Sequence, residues 1–131
     1  MDENVIPASH VDLLERPLFA HLATIRPDGL PQVNPMWFKW DGEHVRFTNT
    51  TIRQKYRNVT AHPEVALSVN DPEKPYRYLE IRGTVVEIVP DPTAAFFLEL
   101  AQRYNLSVDG PPSDAEHRVV YKIKPRSVSF Q

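Results

Sequence analysis

The chain contains no cysteine. Disulfides, thiolate metal sites and cysteine nucleophiles are therefore excluded together, and the composition suits a reducing cytoplasm, the expected location. Glycine is scarce, with four residues in 131, and none builds a P-loop or the glycine-rich strand-to-helix turn of a dinucleotide site. Positive charge is not in excess: 15 Lys and Arg stand against 17 Asp and Glu, a formal net charge of −2. Nucleic acid is thus not an expected partner, because nonspecific binding needs Lys and Arg to meet phosphates. Any anion site must be a local concentration of cations. No apolar run approaches the ~18 residues of a membrane span. The polar start MDENVIPASH is not a signal peptide. The five histidines lack metal-ligand spacing, and no GxSxG nucleophile elbow occurs.

What the chain has is ordinary globular size, read as one domain over 1–131, and 13 prolines that punctuate many short elements. SHVDLLERP reads as a short helix with Ser9 as N-cap and Pro17 as its stop. FAHLATIR (19–26), the turn RPDG and LPQVNPMWFKW (30–40) read as a hairpin. Proline cannot donate to a ladder, so the second strand should be an edge, bulged or broken near Pro35. The Asp-Gly turn at 40–43 leads to a third strand, HVRFTNT (44–50). A helix is expected over TIRQKYRNVTA, closed by His62-Pro63. Strands follow at 64–71 and 78–90, with 72–78 as a loop and a bend or bulge at Gly83. A helix spans 91–105, 106–116 is a loop, and the last strand, 117–130, breaks at Pro125. Short antiparallel strands at this density argue for a β-barrel.

Two features carry chemistry. Arg53 and Lys55 fall in the first turn if Thr50 or Thr51 caps the helix. Cations are disfavoured at that positive dipole end unless an anion is bound there, and a phosphate would draw on backbone N–H groups, Arg and Lys together. The competing reading is a solvated helix face, and the residues alone leave both open. The second feature is PQVNPMWFKW. Gln32 and Asn34 amides suit the polar edge of a planar heteroaromatic ligand, while Met36 and Trp37 could cover its face; an edge strand with aromatic core residues is the plainer alternative.

The pieces LATI-x-x-DG-x-P, a strand ending in T-x-T, R-x-K-x-x-N, HP-x-V-x-L and the later IRGTVVEI resemble the split β-barrel superfamily of pyridoxamine 5′-phosphate oxidase. The resemblance covers about residues 10 to 130 and is nearer to the actinobacterial branch using the deazaflavin coenzyme F420, the flavin/deazaflavin oxidoreductases of the B type. It implies a mainly β fold with helices, a six-stranded antiparallel split β-barrel, assembled as a homodimer with two cofactor sites at the subunit interface. It implies that Arg53 and Lys55 hold the cofactor phosphate beside Thr48 and Thr50, and that Gln32, Asn34, Pro35, Met36 and Trp37 run along the tricyclic ring. Tyr76, Tyr78 and Arg82 of a second copy would then line the substrate side. The implied activity is hydride transfer from reduced F420 to an organic electrophilic acceptor, a small molecule. FMN is the alternative cofactor, in an oxidase or flavin reductase of the same fold, and a non-enzymatic deazaflavin or tetrapyrrole carrier is a further alternative. Flavin oxidases of the superfamily carry a phosphate-binding arginine in the second strand; this chain has no arginine between Arg26 and Arg46.

Overall fold

The computed structural model describes residues 5–131, so the first four residues of the polar start lie outside the described residues. The chain runs α1 (Asp12–Glu15), β1 (Ala20–Ile25), β2 (Pro31–Met36), β3 (Lys39–Trp40), β4 (Val45–Thr50), α2 (Gln54–Ala61), β5 (Glu64–Asp71), β6 (Lys74–Pro90), α3 (Ala95–Arg103), a 3-10 turn (Ala115–His117) and β7 (Arg118–Phe130).

All strands join one antiparallel sheet in the order β2-β1-β5-β6-β7-β4-β3. β2 and β3 occupy its opposite edges, yet only Trp37 and Phe38 separate them in the chain. In a flat sheet those edges would stand roughly 29 Å apart, six steps of about 4.8 Å. The three residue steps from Met36 to Lys39 reach at most about 11 Å. The sheet must therefore curl until its edges approach, which is the curled antiparallel half-barrel expected of a split barrel. Inward side chains fill it: Leu13 and Leu14 of α1, Leu22, Phe47, Leu67, Ile81, Tyr121 and Ile123 are all fully buried. α3 packs outside, where Phe96 and Leu100 meet Val120, Val89, Trp37 and Tyr104.

Several expectations are corrected. The single strand expected over 30–40 is two, so the sheet has seven strands rather than six. The break falls at Trp37–Phe38, past Pro35, which stays in the ladder opposite His21. An edge strand tolerates proline because the missing donor costs no ladder bond on its free side. α2 begins later than expected, with Arg53 as N-cap; Thr50 still belongs to β4 opposite Arg118, and the Thr51 N–H bonds His117 O. Residues 74–78 are strand, since β6 starts at Lys74 and only Pro72-Glu73 turn. Val11 rather than Ser9 precedes α1 as its cap, and the Ser9 hydroxyl bonds His10 instead. α3 starts at Ala95; the Asp91 carboxylate accepts from the N–H groups of Ala95 and Phe96 and so serves its N-terminus from outside. β7 passes through Pro125 without interruption.

The irregularity expected at Gly83 is present. The register shifts between Arg82 and Gly83, where Arg126 is left without a partner. A Cβ on Gly83 would stand 2.6 Å from Lys124 O, so only glycine admits this approach.

Candidate cofactor-binding site

The inward face of β2 carries Gln32, Asn34 and Met36, each half-buried, while Pro31, Val33 and Pro35 are exposed on the other face. Among the described residues β2 pairs only with β1, which leaves its second edge free of them. α2 contacts β1 and β4. Its Asn58, fully buried, makes the central junction. Asn58 Nδ2 donates to Thr24 Oγ1 at 2.9 Å and to Gln32 Oε1 at 3.1 Å. Its Oδ1 accepts from Gln54 Nε2 at 2.9 Å. Gln32 Nε2 in turn donates to Asn34 Oδ1 at 3.1 Å, and Lys55 Nζ reaches that same oxygen at 3.5 Å. A run of amides thus joins the middle of α2 to the open edge of the sheet and ends on an ammonium.

Lys55 is in an unusual position for a lysine. Burial, and secondarily the Arg53 guanidinium, lower its pKa from the ordinary value. Among the described residues neither Lys55 nor Arg53 has a carboxylate partner. α2 has no side-chain cap and no acidic residue in its first turn. A positive dipole end and two cations therefore coincide without a compensating negative charge from the described residues. Arg57, on the next turn, is exposed and donates to Gln54 Oε1.

The other expected residues are distributed more widely. Thr50 is 1% exposed, and its Oγ1 is buried without a hydrogen-bond partner. Thr48 Oγ1 accepts from Arg118 Nη1 at 3.4 Å. Arg118 is held by Asp114 through two bonds of 3.1 and 3.2 Å and lies over the Phe97 ring. Trp37 stacks on Tyr104, with ring centroids 5.3 Å apart and planes 14° from parallel, and tilts against Phe97. Met36 packs partly against the barrel core. Pro35 faces away from Asn34. Of the nine expected residues, the structure bonds Gln32, Asn34 and Lys55 directly, ties Thr48 and Trp37 to Phe97 and Arg118, and sets Pro35 apart.

The fold agrees with what the chain is similar to. The model of the pyridoxamine 5′-phosphate oxidase family matches residues 6–131. The chain belongs to that family. A solved structure described as an F420 reductase is 59% identical, with a TM-score of 0.93, over 96% of this chain and all of that one (100%). A conserved hypothetical protein from Mycobacterium tuberculosis is 25% identical, with a TM-score of 0.74, over 99% of this chain and 88% of its own. The heme storage protein HutZ from Vibrio cholerae, 16% identical, has a TM-score of 0.69 over 93% and 92% of the two chains and shows the fold alone. No curated protein matches the chain. The family places the chain among oxidoreductases.

Sequence reasoning gave no role to Asn58, Thr24, Arg118, Arg103 or Tyr104. Asn58 stood in the R-x-K-x-x-N pattern, and a polar residue beside the apolar Val59 on a helix face was the available signal. Arg118 had none: Asp114 reaches it only because the 3-10 turn folds back. A separate cleft of about 320 Å³ lies where β1 leaves β5, bordered by Ala23, Ile25, Pro31, Ala66, Arg82 and Arg126. None of the nine residues expected to hold the cofactor lines it, although Thr24 does, as does Arg82, expected on the substrate side of a second copy. Among the described residues no cluster could hold a metal ion, and no helix is long and apolar enough to cross a membrane.

Proposed function

We propose that the protein is an F420-dependent reductase acting on an organic electrophilic acceptor. The observation that carries this reading is the uncapped start of α2, where Arg53 and Lys55 have no carboxylate partner among the described residues. The orphaned Thr50 hydroxyl at the end of β4 fits the same group. A phosphate suits this donor set: two cations, backbone N–H groups and a buried hydroxyl. The similarity to the F420 reductase supports the deazaflavin rather than FMN, as does the lack of an arginine between Arg26 and Arg46.

When bound, the deazaflavin supplies two electrons as a hydride; the protein supplies binding and orientation. Arg53 and Lys55 would neutralise the phosphate. Gln32 and Asn34, oriented by Asn58 and Thr24, present fixed amide dipoles along the sheet edge. Trp37, braced by Tyr104, would border the ring.

The assembly belongs to the same proposal. The outer face of β2, β1, β5 and β6 exposes Val33 and Ile25 beside the cleft, with Arg82 and Arg126 close to Glu64 and Glu80. Such mixed charges can complement themselves across a two-fold axis, so this face is assigned to a second copy. Arg82 and Tyr76 of that copy would then border the acceptor.

The test is a fluorescence titration of the purified protein with F420 and, separately, FMN. Micromolar F420 binding with FMN much weaker supports the reading, and the reverse order moves the protein to the flavin branch. Binding of neither overturns the assignment of Arg53 and Lys55. Sedimentation of wild type and Arg82→Glu tests the dimer, which the variant should dissociate.

A further inference from the structure

We infer that Arg103 and Tyr104, at the end of α3, are positioning residues for the cofactor strand; the inference rests on the proposed cofactor site. It starts from the strand break. Trp37 and Phe38 carry the chain from one sheet edge to the other and pair with no strand. Phe38 is nevertheless fully buried, and buried backbone groups need partners. Both of its groups find them on α3 and its cap. The Phe38 N–H donates to Tyr104 Oη at 3.2 Å, and Arg103 Nε donates to Phe38 O at 3.0 Å.

The same two side chains hold the surroundings of the crossing. Tyr104 OH donates to Leu18 O. The Arg103 guanidinium donates to Leu14 O at 3.3 Å, Glu15 O at 3.2 Å and Arg16 O at 2.8 Å. A basic residue in the last turn ordinarily serves its own helix. Arg103 instead bonds the carbonyls that end α1, while its charge lies over the Phe38 ring. The Tyr104 ring lies nearly parallel to Trp37 and also stacks on Phe19. α3 thus fixes the ring of Trp37 and both backbone groups of Phe38.

That crossing is covalently continuous with β2. Its geometry decides where Gln32 and Asn34 stand relative to Lys55 on α2, a separation that binding groups tolerate only within about 0.5 Å. Arg103 and Tyr104 touch none of those three side chains. They act on ligand affinity through the backbone of Trp37 and Phe38.

The test titrates wild type, Tyr104→Phe and Arg103→Met with F420 and with the phosphate-free deazaflavin. It reads affinity and stoichiometry separately, together with amide hydrogen exchange of the ligand-free proteins. Tyr104→Phe removes both the acceptor of the Phe38 N–H and the donor to Leu18 O; the loss at the Phe38 N–H should weaken both ligands by the same factor, about two- to tenfold, at unchanged stoichiometry. The Phe38 amide should exchange faster while those of Leu67 and Ile81 do not. A fall in stoichiometry at unchanged affinity, with faster exchange throughout, would make Tyr104 merely structural and overturn the inference. So would unchanged affinity in both variants beside normal wild-type binding. Failure of wild type to bind either ligand overturns the cofactor reading and takes the positioning role with it, an outcome distinct from the other two.

Discussion

Replacing Asn58 with Ala probes the junction of the site and the fold at once. Asn58 is fully buried and makes three side-chain hydrogen bonds, to Thr24, Gln32 and Gln54. Each such bond contributes about 0.5–1.5 kcal/mol net, and truncation also leaves partners unpaired in a dry setting. The expected loss is about 2–4 kcal/mol. For a domain of this length the unfolding entropy near the midpoint is roughly 0.28 kcal/mol/K, so the melting temperature should fall by about 7–14 °C. Calorimetry and urea unfolding would measure it. Cofactor affinity should fall as well, because Gln32 loses the donor that orients it and Asn34 loses its anchor through Gln32. A stability loss below about 1 kcal/mol would refute the reasoning, since it would mean that water or a repacked Gln54 replaces the network at little cost.

Three further outcomes are expected. Lys55→Ala should leave the melting temperature unchanged or raise it, because Lys55 is desolvated beside Arg53, while the F420 dissociation constant rises tenfold or more, corresponding to a charge-assisted bond of ~1.5–3 kcal/mol; a lower melting temperature at unchanged affinity would refute this. Thr50→Val removes a buried hydroxyl that has no partner and should stabilise the ligand-free protein by about 1 kcal/mol but weaken F420 binding, as read by thermal shift with and without ligand. The Asp71 carboxyl is lowered to about 2, chiefly by its bond to Arg16, then by the Glu73 N–H. A depressed acid contributes stability that is complete above its unfolded pKa, about 4, and is lost as pH falls toward 2. The stability difference between wild type and Asp71→Asn should therefore shrink across that window in acid unfolding curves, and a constant difference would count against the assignment.

The α2 cations were legible because helix periodicity and the closing His62-Pro63 are local signals, and the positive end of a helix dipole makes neighbouring cations conspicuous. Gly83 was legible for a similar reason: alternation along one strand fails there, and the shifted pairing with β7 matches the failure. The cap of α2 was misplaced because Thr50 and Thr51 have good capping chemistry, yet β4 claims Thr50 for its ladder and His117 O takes the Thr51 N–H. Residues 74–78 of the loop expected at 72–78 are strand because the partner β5 extends to Asp71 and pairs it with Lys74; pairing outweighs the turn propensity of Pro75.

By itself, then, the sequence determined the globular composition, the absence of cysteine chemistry, the antiparallel β character and the two local clusters proposed to meet a phosphate and a planar ring. These depend on composition and on neighbours within a few residues. Only the tertiary structure decided that the clusters meet. Lys55 and Asn34 lie 21 residues apart, and Asn58 and Thr24 lie 34 apart. Their contact exists because two residues must bridge opposite edges of a seven-stranded sheet, which compels the sheet to curl. Arg103 and Tyr104, 65 and 66 residues from Phe38, then satisfy the backbone left bare at that bridge. No local pattern encodes such a pairing, because it is a property of chain closure rather than of any one segment.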